Sequence, residues 1–111
     1  MKTRTEIDPG ICGFNTVVTA ESDDSQNVTF QFETSCDTIK EFAKLIDEIS
    51  PVDAIATLGP DENPILGIAR KLLQTKGCCD ACVVPAGAAK VMQVVANLAL
   101  PKDVSLSIIK E

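Results

Sequence analysis

Apolar and polar residues alternate in the first third of the chain. The run 28–33 (VTFQFE) places Val or Phe at every second position, which is typical of a half-buried strand. Residues 14–20 are rich in Thr and Val and predict the strand before it, and 2–8 alternate weakly and predict another. Because the polar segment 21–27 separates the two stronger runs, these two strands are predicted to form a β-hairpin.

Beyond residue 36 the apolar positions take the period of a helix. Thr38 and Glu41 have the spacing of a capping box, and the apolar residues of 39–49 fall on one face, so a first helix is predicted there. Pro51 resembles the start of a second helix, because Pro is favoured at the first helical position. That helix would end at Gly59.

Two more helices and a strand are predicted in the second half of the chain. Asn63 and Pro64 would begin the third helix, which Gly77 would end. Pro85 would open the fourth, running to about Leu98. In 104–109 (VSLSII) apolar residues alternate with serines, which predicts a final strand that returns to the sheet.

This order of elements predicts a single α+β domain over residues 1–111. It would have an N-terminal β-hairpin, three to four helices packed on one face of a small antiparallel or mixed sheet, and a C-terminal strand. A chain of 111 residues with 45% hydrophobic residues is expected to build one core. With four Phe and no Trp or Tyr, that core must be largely aliphatic.

Charge narrows the classes of partner. The net charge of -6 provides no basic surface for phosphates, so neither nucleic acid nor an anionic membrane is an expected partner. Residues 1–10 lack the apolar region of a signal peptide, and no run reaches the about 18 apolar residues of a membrane helix. A cytoplasmic protein is therefore expected, and a protein partner or a homodimer stays open.

The chain contains no histidine. This excludes Ser-His-Asp and Cys-His catalysis as well as Cys/His zinc fingers. Any metal site must use thiolates, carboxylates or backbone groups as ligands.

Five cysteines are the main candidates for chemistry. An odd number in a reducing compartment argues against a disulfide framework. Cys12 precedes the first strand of the hairpin and Cys36 follows the second, so the antiparallel strands should bring both to one end of the sheet. Cys78, Cys79 and Cys82 precede the fourth helix.

These positions suggest a site of four thiolates. Cys12, Cys36, Cys79 and Cys82 would bind zinc or an iron–sulfur cluster, with Cys78 as a substitute ligand. The protein would then be a carrier, scaffold or sensor rather than an enzyme.

Two alternatives stay open. Because free cysteine is among the most buried residue types, the cysteines could be incidental to a structural or interaction module. Cys79 and Cys82 also form one C-x-x-C pair, which would suit a thiol–disulfide redox protein.

The cysteine layout also resembles that of known proteins. Cys12-Gly13 before a hairpin strand, Cys36 at the next helix and the cluster 78–82 before the last long helix resemble scaffold proteins for iron–sulfur cluster assembly. This resemblance implies cluster binding by these cysteines. The chain differs from the scaffolds in having Phe14 where they carry an acidic residue, and in lacking a histidine beside the third cysteine.

A second resemblance covers nearly the whole chain. Segments 11–14 (ICGF), 82–85 (CVVP) and 98–104 (LALPKDV), together with Cys36, resemble a family of small prokaryotic proteins with no assigned function. It implies no activity.

Overall fold

Four strands and three helices make up the fold in a computed structural model that describes residues 1–76 and 81–111. The elements are β1 (Lys2–Ile7), β2 (Thr16–Glu21), β3 (Asn27–Glu33), α1 (Asp37–Ile49), β4 (Val52–Asp53), a 3₁₀ turn (Ala56–Leu58), α2 (Pro64–Lys76) and α3 (Val84–Val95). The strands form one antiparallel sheet in the order β1-β2-β3-β4. The α+β class and the N-terminal hairpin are confirmed.

Alternation along the strands sets the two faces of the sheet. β2 and β3 pair with Val18 opposite Phe32 and Ala20 opposite Phe30, so apolar residues of both strands share one face. Val18 and Ala20 are fully buried on that face. Because side chains alternate along a strand, the polar residues of β3 lie on the opposite, exposed face.

The helices cover the apolar face of the sheet. α3 packs against β1 and β2, and α1 packs against β3. The Phe42 ring of α1 meets the Phe32 ring of β3 edge to face, with centroids 5.6 Å apart. No helix in the two described ranges is long and apolar enough to cross a membrane.

The prediction of a helix starting at Pro51 is wrong. Val52 and Asp53 instead pair with Val28 and Asn27, which adds the short strand β4 to the sheet. The Asp53 carboxylate then accepts hydrogen bonds from the backbone N–H groups of Ile55 and Ala56. Long-range strand pairing therefore outweighs the local helix signal, and only the 3₁₀ turn remains helical.

The other helices begin near their predicted starts. Cys36, rather than Thr38, occupies the N-cap position of α1, and no side chain caps that end. Asn63 caps α2 by accepting a hydrogen bond from the N–H of Ile65 at 2.9 Å. Gly77, the predicted end of this helix, lies outside the described residues.

Helix α3 ends at Val95, slightly before its predicted end. Asn97 adopts a positive φ of 62°, its N–H donates to Val94 O, and the N–H of Leu98 donates to Gln93 O. This pair of bonds is a Schellman motif, in which Asn takes the left-handed position that Gly usually fills.

The predicted C-terminal strand is not formed. Residues 101–111 have no regular secondary structure and are exposed. Alternation makes 104–109 suitable for a strand, but a strand also needs a partner, and this segment pairs with no strand of the described residues.

Candidate functional site

One end of the sheet gathers the elements that carry the described cysteines. Ile7 at the end of β1 is opposite Thr16 at the start of β2. The hydroxyl of Thr16 lies 3.0 Å from that of Thr34, just beyond β3. We call this end, marked by Ile7, Thr16 and Thr34, the cysteine pole.

Cys12 lies at the cysteine pole, in the connection 8–15 between β1 and β2. Gly10 and Gly13 have φ values of +95° and +73°, a left-handed conformation that L side chains rarely adopt. The Asp8 carboxylate accepts a hydrogen bond from the Gly10 N–H at 3.0 Å, and Gly13 N–H donates to Gly10 O at 3.0 Å. This tight loop presents Cys12 as an exposed free thiol.

Cys36 lies at the cysteine pole as the N-cap residue of α1. Its side chain is a half-buried free thiol, and its backbone N–H donates to the Thr34 hydroxyl at 3.2 Å. The backbone carbonyl of Cys36 accepts the first helical bond, from Lys40.

A run of hydrogen bonds joins the Cys12 loop to the N-cap of α1. The buried hydroxyl of Thr16 donates to Phe14 O at 3.0 Å and also contacts the Thr34 hydroxyl. The Thr34 hydroxyl in turn accepts a hydrogen bond from the Cys36 N–H at 3.2 Å. The run from Cys36 through Thr34 and Thr16 to Phe14 therefore fixes both cysteine segments relative to each other.

The start of α3 also lies at the cysteine pole. Cys82 is half-buried and lies two residues before the helix. Gly87, in the first turn, lies so close to β1 that an added Cβ would be 2.5 Å from Ile7 Cδ1. The lack of a side chain at Gly87 therefore allows the start of α3 to approach the end of β1.

The end of α2 comes near as well. Lys76 Nζ is 3.0 Å from the Glu41 carboxylate, close to the start of α1. Cys78 and Cys79 follow in the sequence and lie outside the described residues. The structure thus brings the segments of Cys12, Cys36 and Cys82 to the cysteine pole. These are three of the five cysteines that the sequence suggested as ligands.

The described residues do not by themselves form a metal site. Within 1–76 and 81–111, no group of three or more His, Cys, Asp or Glu side chains is placed to hold a metal ion. The hydroxyl pair Thr16 and Thr34 was not predicted from the sequence, where its only signal is a Thr at the cysteine-pole end of each hairpin strand.

A groove lies at the opposite end of the molecule. It has a volume of about 610 Å³ and is lined by Met1–Arg4 of the first strand and its approach, by Val94, and by Asn97–Pro101 after α3. None of the three described cysteines lines it.

Comparison with known proteins identifies the family of the chain. No curated protein and no solved structure matches it significantly. A family model, DUF6951, described as a family of unknown function, matches residues 3–108. The chain therefore belongs to the DUF6951 family.

Proposed function

We propose that the protein binds a metal ion or an iron–sulfur cluster through cysteine thiolates at the cysteine pole, as a carrier, scaffold or sensor. The ligands would be Cys12, Cys36, Cys79 and Cys82, with Cys78 able to replace one of them. The observation that carries the proposal is the convergence of three cysteine-bearing segments, distant in sequence, at one end of the sheet.

The hydrogen-bond run supports the proposal because it links two of these segments. It holds Phe14, two residues after Cys12, to the backbone of Cys36. A metal site needs ligands that are oriented before the metal binds, and supporting hydrogen bonds provide that orientation.

The residue types also favour thiolate ligation. The chain has no histidine, and four thiolates suit tetrahedral zinc or an iron–sulfur cluster. Cys12 is exposed, so a metal or a cluster could be exchanged with a partner.

Metal and sulfide analysis after anaerobic purification tests the proposal. We expect close to one zinc per chain, or iron with acid-labile sulfide and visible absorption, in the wild-type protein. Cys12→Ser and Cys36→Ser should each lower the bound metal several-fold, because each removes a thiolate ligand. Ser35→Ala, which changes an exposed neighbour of Cys36, is the matched control and should retain wild-type metal content.

The result that would overturn the proposal is full metal content in both cysteine variants. A metal-free wild-type protein that is folded by circular dichroism would overturn it equally. In that second case, a reversible couple between Cys79 and Cys82 would favour the redox alternative.

The interaction-module alternative also has an observation in its favour. Leu100, Leu106 and Ile108 near the C-terminus are exposed by 87%, 76% and 94%. This apolar segment is remote in sequence from the cysteine pole, so an interaction through it is compatible with thiolate chemistry at the pole.

A further inference from the structure

Segment 104–109 carries an apolar pattern that its own chain leaves exposed. Val104, Leu106, Ile108 and Ile109 are exposed by 67%, 76%, 94% and 75%. Single exposed apolar residues are ordinary, but four within six consecutive residues are an unusual concentration. The alternation with Ser105 and Ser107 is that of a strand with one face to bury.

Strand β1 offers an open edge that could accept a strand. Met1 and Ser22 exchange two backbone hydrogen bonds, of 2.9 and 3.0 Å. Because hydrogen-bonded and non-bonded pairs alternate in an antiparallel ladder, Lys2, Arg4 and Glu6 direct their N–H and C=O groups away from β2. The sheet order places no strand beside that edge in the described part of the chain.

The faces of the segment match the faces of this edge. The half-buried residues of β1 (Thr3, Thr5 and Ile7) lie on the helix-covered side, and its charged residues lie on the exposed side. An added strand 104–109 would place Val104, Leu106 and Ile108 on the covered side, and Ser105, Ser107 and Ile109 on the exposed side. The groove beside Met1–Arg4 lies next to the same strand.

We propose that the protein forms a dimer in which residues 104–109 of each copy add as a fifth strand to the β1 edge of the other. Main-chain hydrogen bonds would provide affinity, and the buried apolar face would provide register. Each copy has one such segment and one such edge, so a reciprocal exchange closes at two copies and leaves neither exposed.

The strand added to the β1 edge comes from a second copy, because segment 104–109 does not pack on the sheet of its own chain. Its apolar side chains are at least two-thirds exposed, although the chain leaves α3 beside the start of β1, where Leu100 and Pro101 line the groove with Met1. The inference is independent of the proposed metal site, since no cysteine belongs to the edge or to the segment.

Molar mass in solution, measured by light scattering across a concentration series, tests the dimer. We expect wild-type protein to dimerise and Leu106→Asp to raise the dimer Kd at least about tenfold, since it buries a charge. Arg4→Pro should do the same, because it removes an N–H that β1 directs outward while leaving the bonds to β2 intact.

Two control variants match these changes. Ser107→Asp puts the same charge on the exposed side of the added strand, and Arg4→Ala removes the side chain but keeps the N–H. Both should dimerise like wild type. If Arg4→Pro fails to fold by circular dichroism, Leu106→Asp still tests the proposal, because residue 106 is exposed in its own chain.

Mixing the two monomeric variants gives a sharper result. Arg4→Pro retains a competent segment and Leu106→Asp retains a competent edge, so together they should form a heterodimer with one exchanged strand. A wild-type protein that remains monomeric at its highest soluble concentration overturns the proposal. So does a dimer that both variants leave unchanged.

Discussion

Two threonine hydroxyl groups organise the cysteine pole at the residue scale. The hydroxyls of Thr16 and Thr34 are hydrogen-bonded to each other between the ends of β2 and β3. Thr16 also bonds the backbone carbonyl of Phe14, and Thr34 bonds the backbone N–H of Cys36. Removing the buried Thr16 hydroxyl leaves partly buried polar groups without this partner, and an unsatisfied group of that kind lowers stability.

Thr16→Val should destabilise the fold by about 1–2 kcal/mol, because it keeps the side-chain shape but leaves Thr34 and Phe14 O without their partner. Urea unfolding followed by circular dichroism measures this change. Thr29→Val is the control, since Thr29 is exposed on β3 and should change stability little. An equal loss in both variants would contradict the assigned role of the run.

Asp24 stabilises the turn between β2 and β3 through its carboxylate. Its carboxylate accepts hydrogen bonds from the backbone of Asn27 at 2.8 Å, from the Asn27 side chain at 2.8 Å and from the backbone of Gln26 at 3.0 Å. The bond from the Asn27 backbone is the largest of several causes that hold the pKa of Asp24 well below its ordinary value of 3.8.

Stability from Asp24 should therefore depend on pH. A carboxylate whose pKa is lower in the folded state stabilises the fold above its unfolded value and loses that effect as the pH falls through its folded value. Asp24→Ala should lower the melting temperature at pH 7, and the difference from wild type should shrink as the pH falls below 3.8. Asp23→Ala, one residue earlier, removes a carboxylate outside this set of hydrogen bonds and is the matched control. A difference that is constant with pH would contradict the assignment.

At the scale of elements, local patterns predicted most of the structure. Features that follow from spacing within a few residues could be predicted. They are the strands 14–20 and 28–33, the helix faces, and the Asn-Pro start of α2. The prediction at Pro51 failed because Val52 and Asp53 pair with the distant strand β3. The prediction at 104–109 failed because no strand of the described residues pairs with that segment.

The candidate site was predictable only in its coarse placement. Antiparallel pairing of the hairpin already implied that Cys12 and Cys36 share one end. The contact of Gly87 with Ile7 could not be predicted, because it depends on how α3 lies across β1. In the sequence alone, a glycine within a helical pattern only lowers the expected stability of the helix and does not identify a neighbour.

The effect of Gly87→Ala on the free energy of unfolding should depend on the residue at position 7. In the wild-type background the new methyl meets Ile7 Cδ1 at 2.5 Å, so the tip of this flexible side chain must shift, and we expect the gain of about 1 kcal/mol from the higher helix propensity of Ala to be reduced or lost. Ile7→Val removes that Cδ1 atom and should itself cost about 1 kcal/mol. In this second background Gly87→Ala should recover more of that gain, as measured by a double-mutant cycle in urea. Equal effects in both backgrounds would contradict the contact.

The whole molecule has two ends with different proposed tasks. The cysteine pole carries the proposed thiolate ligands, and the groove and the open β1 edge carry the proposed self-association. The core between them includes Phe42, Ile46 and Met92, all almost fully buried, so each end can be changed by surface substitutions that leave the core intact.

Metal binding at the cysteine pole should therefore raise the free energy of unfolding and protect the segments of that pole. At a free metal concentration of 100 times Kd, the gain would be about 2.7 kcal/mol. Hydrogen exchange should slow in segments 8–15 and 81–83 on loading, while exchange at Met1–Arg4 stays the same. Slowing at the groove without slowing at the pole would contradict the location of the site.

The paired hydroxyls have a consequence for the evolution of the family. Replacing both partners of a hydrogen bond by apolar groups of similar shape is nearly neutral, whereas replacing one leaves the other unsatisfied. Substitutions at the positions of Thr16 and Thr34 should therefore be correlated across DUF6951 sequences. Lineages would keep hydroxyls at both positions or lose both together, and the intermediates with one hydroxyl would be rare.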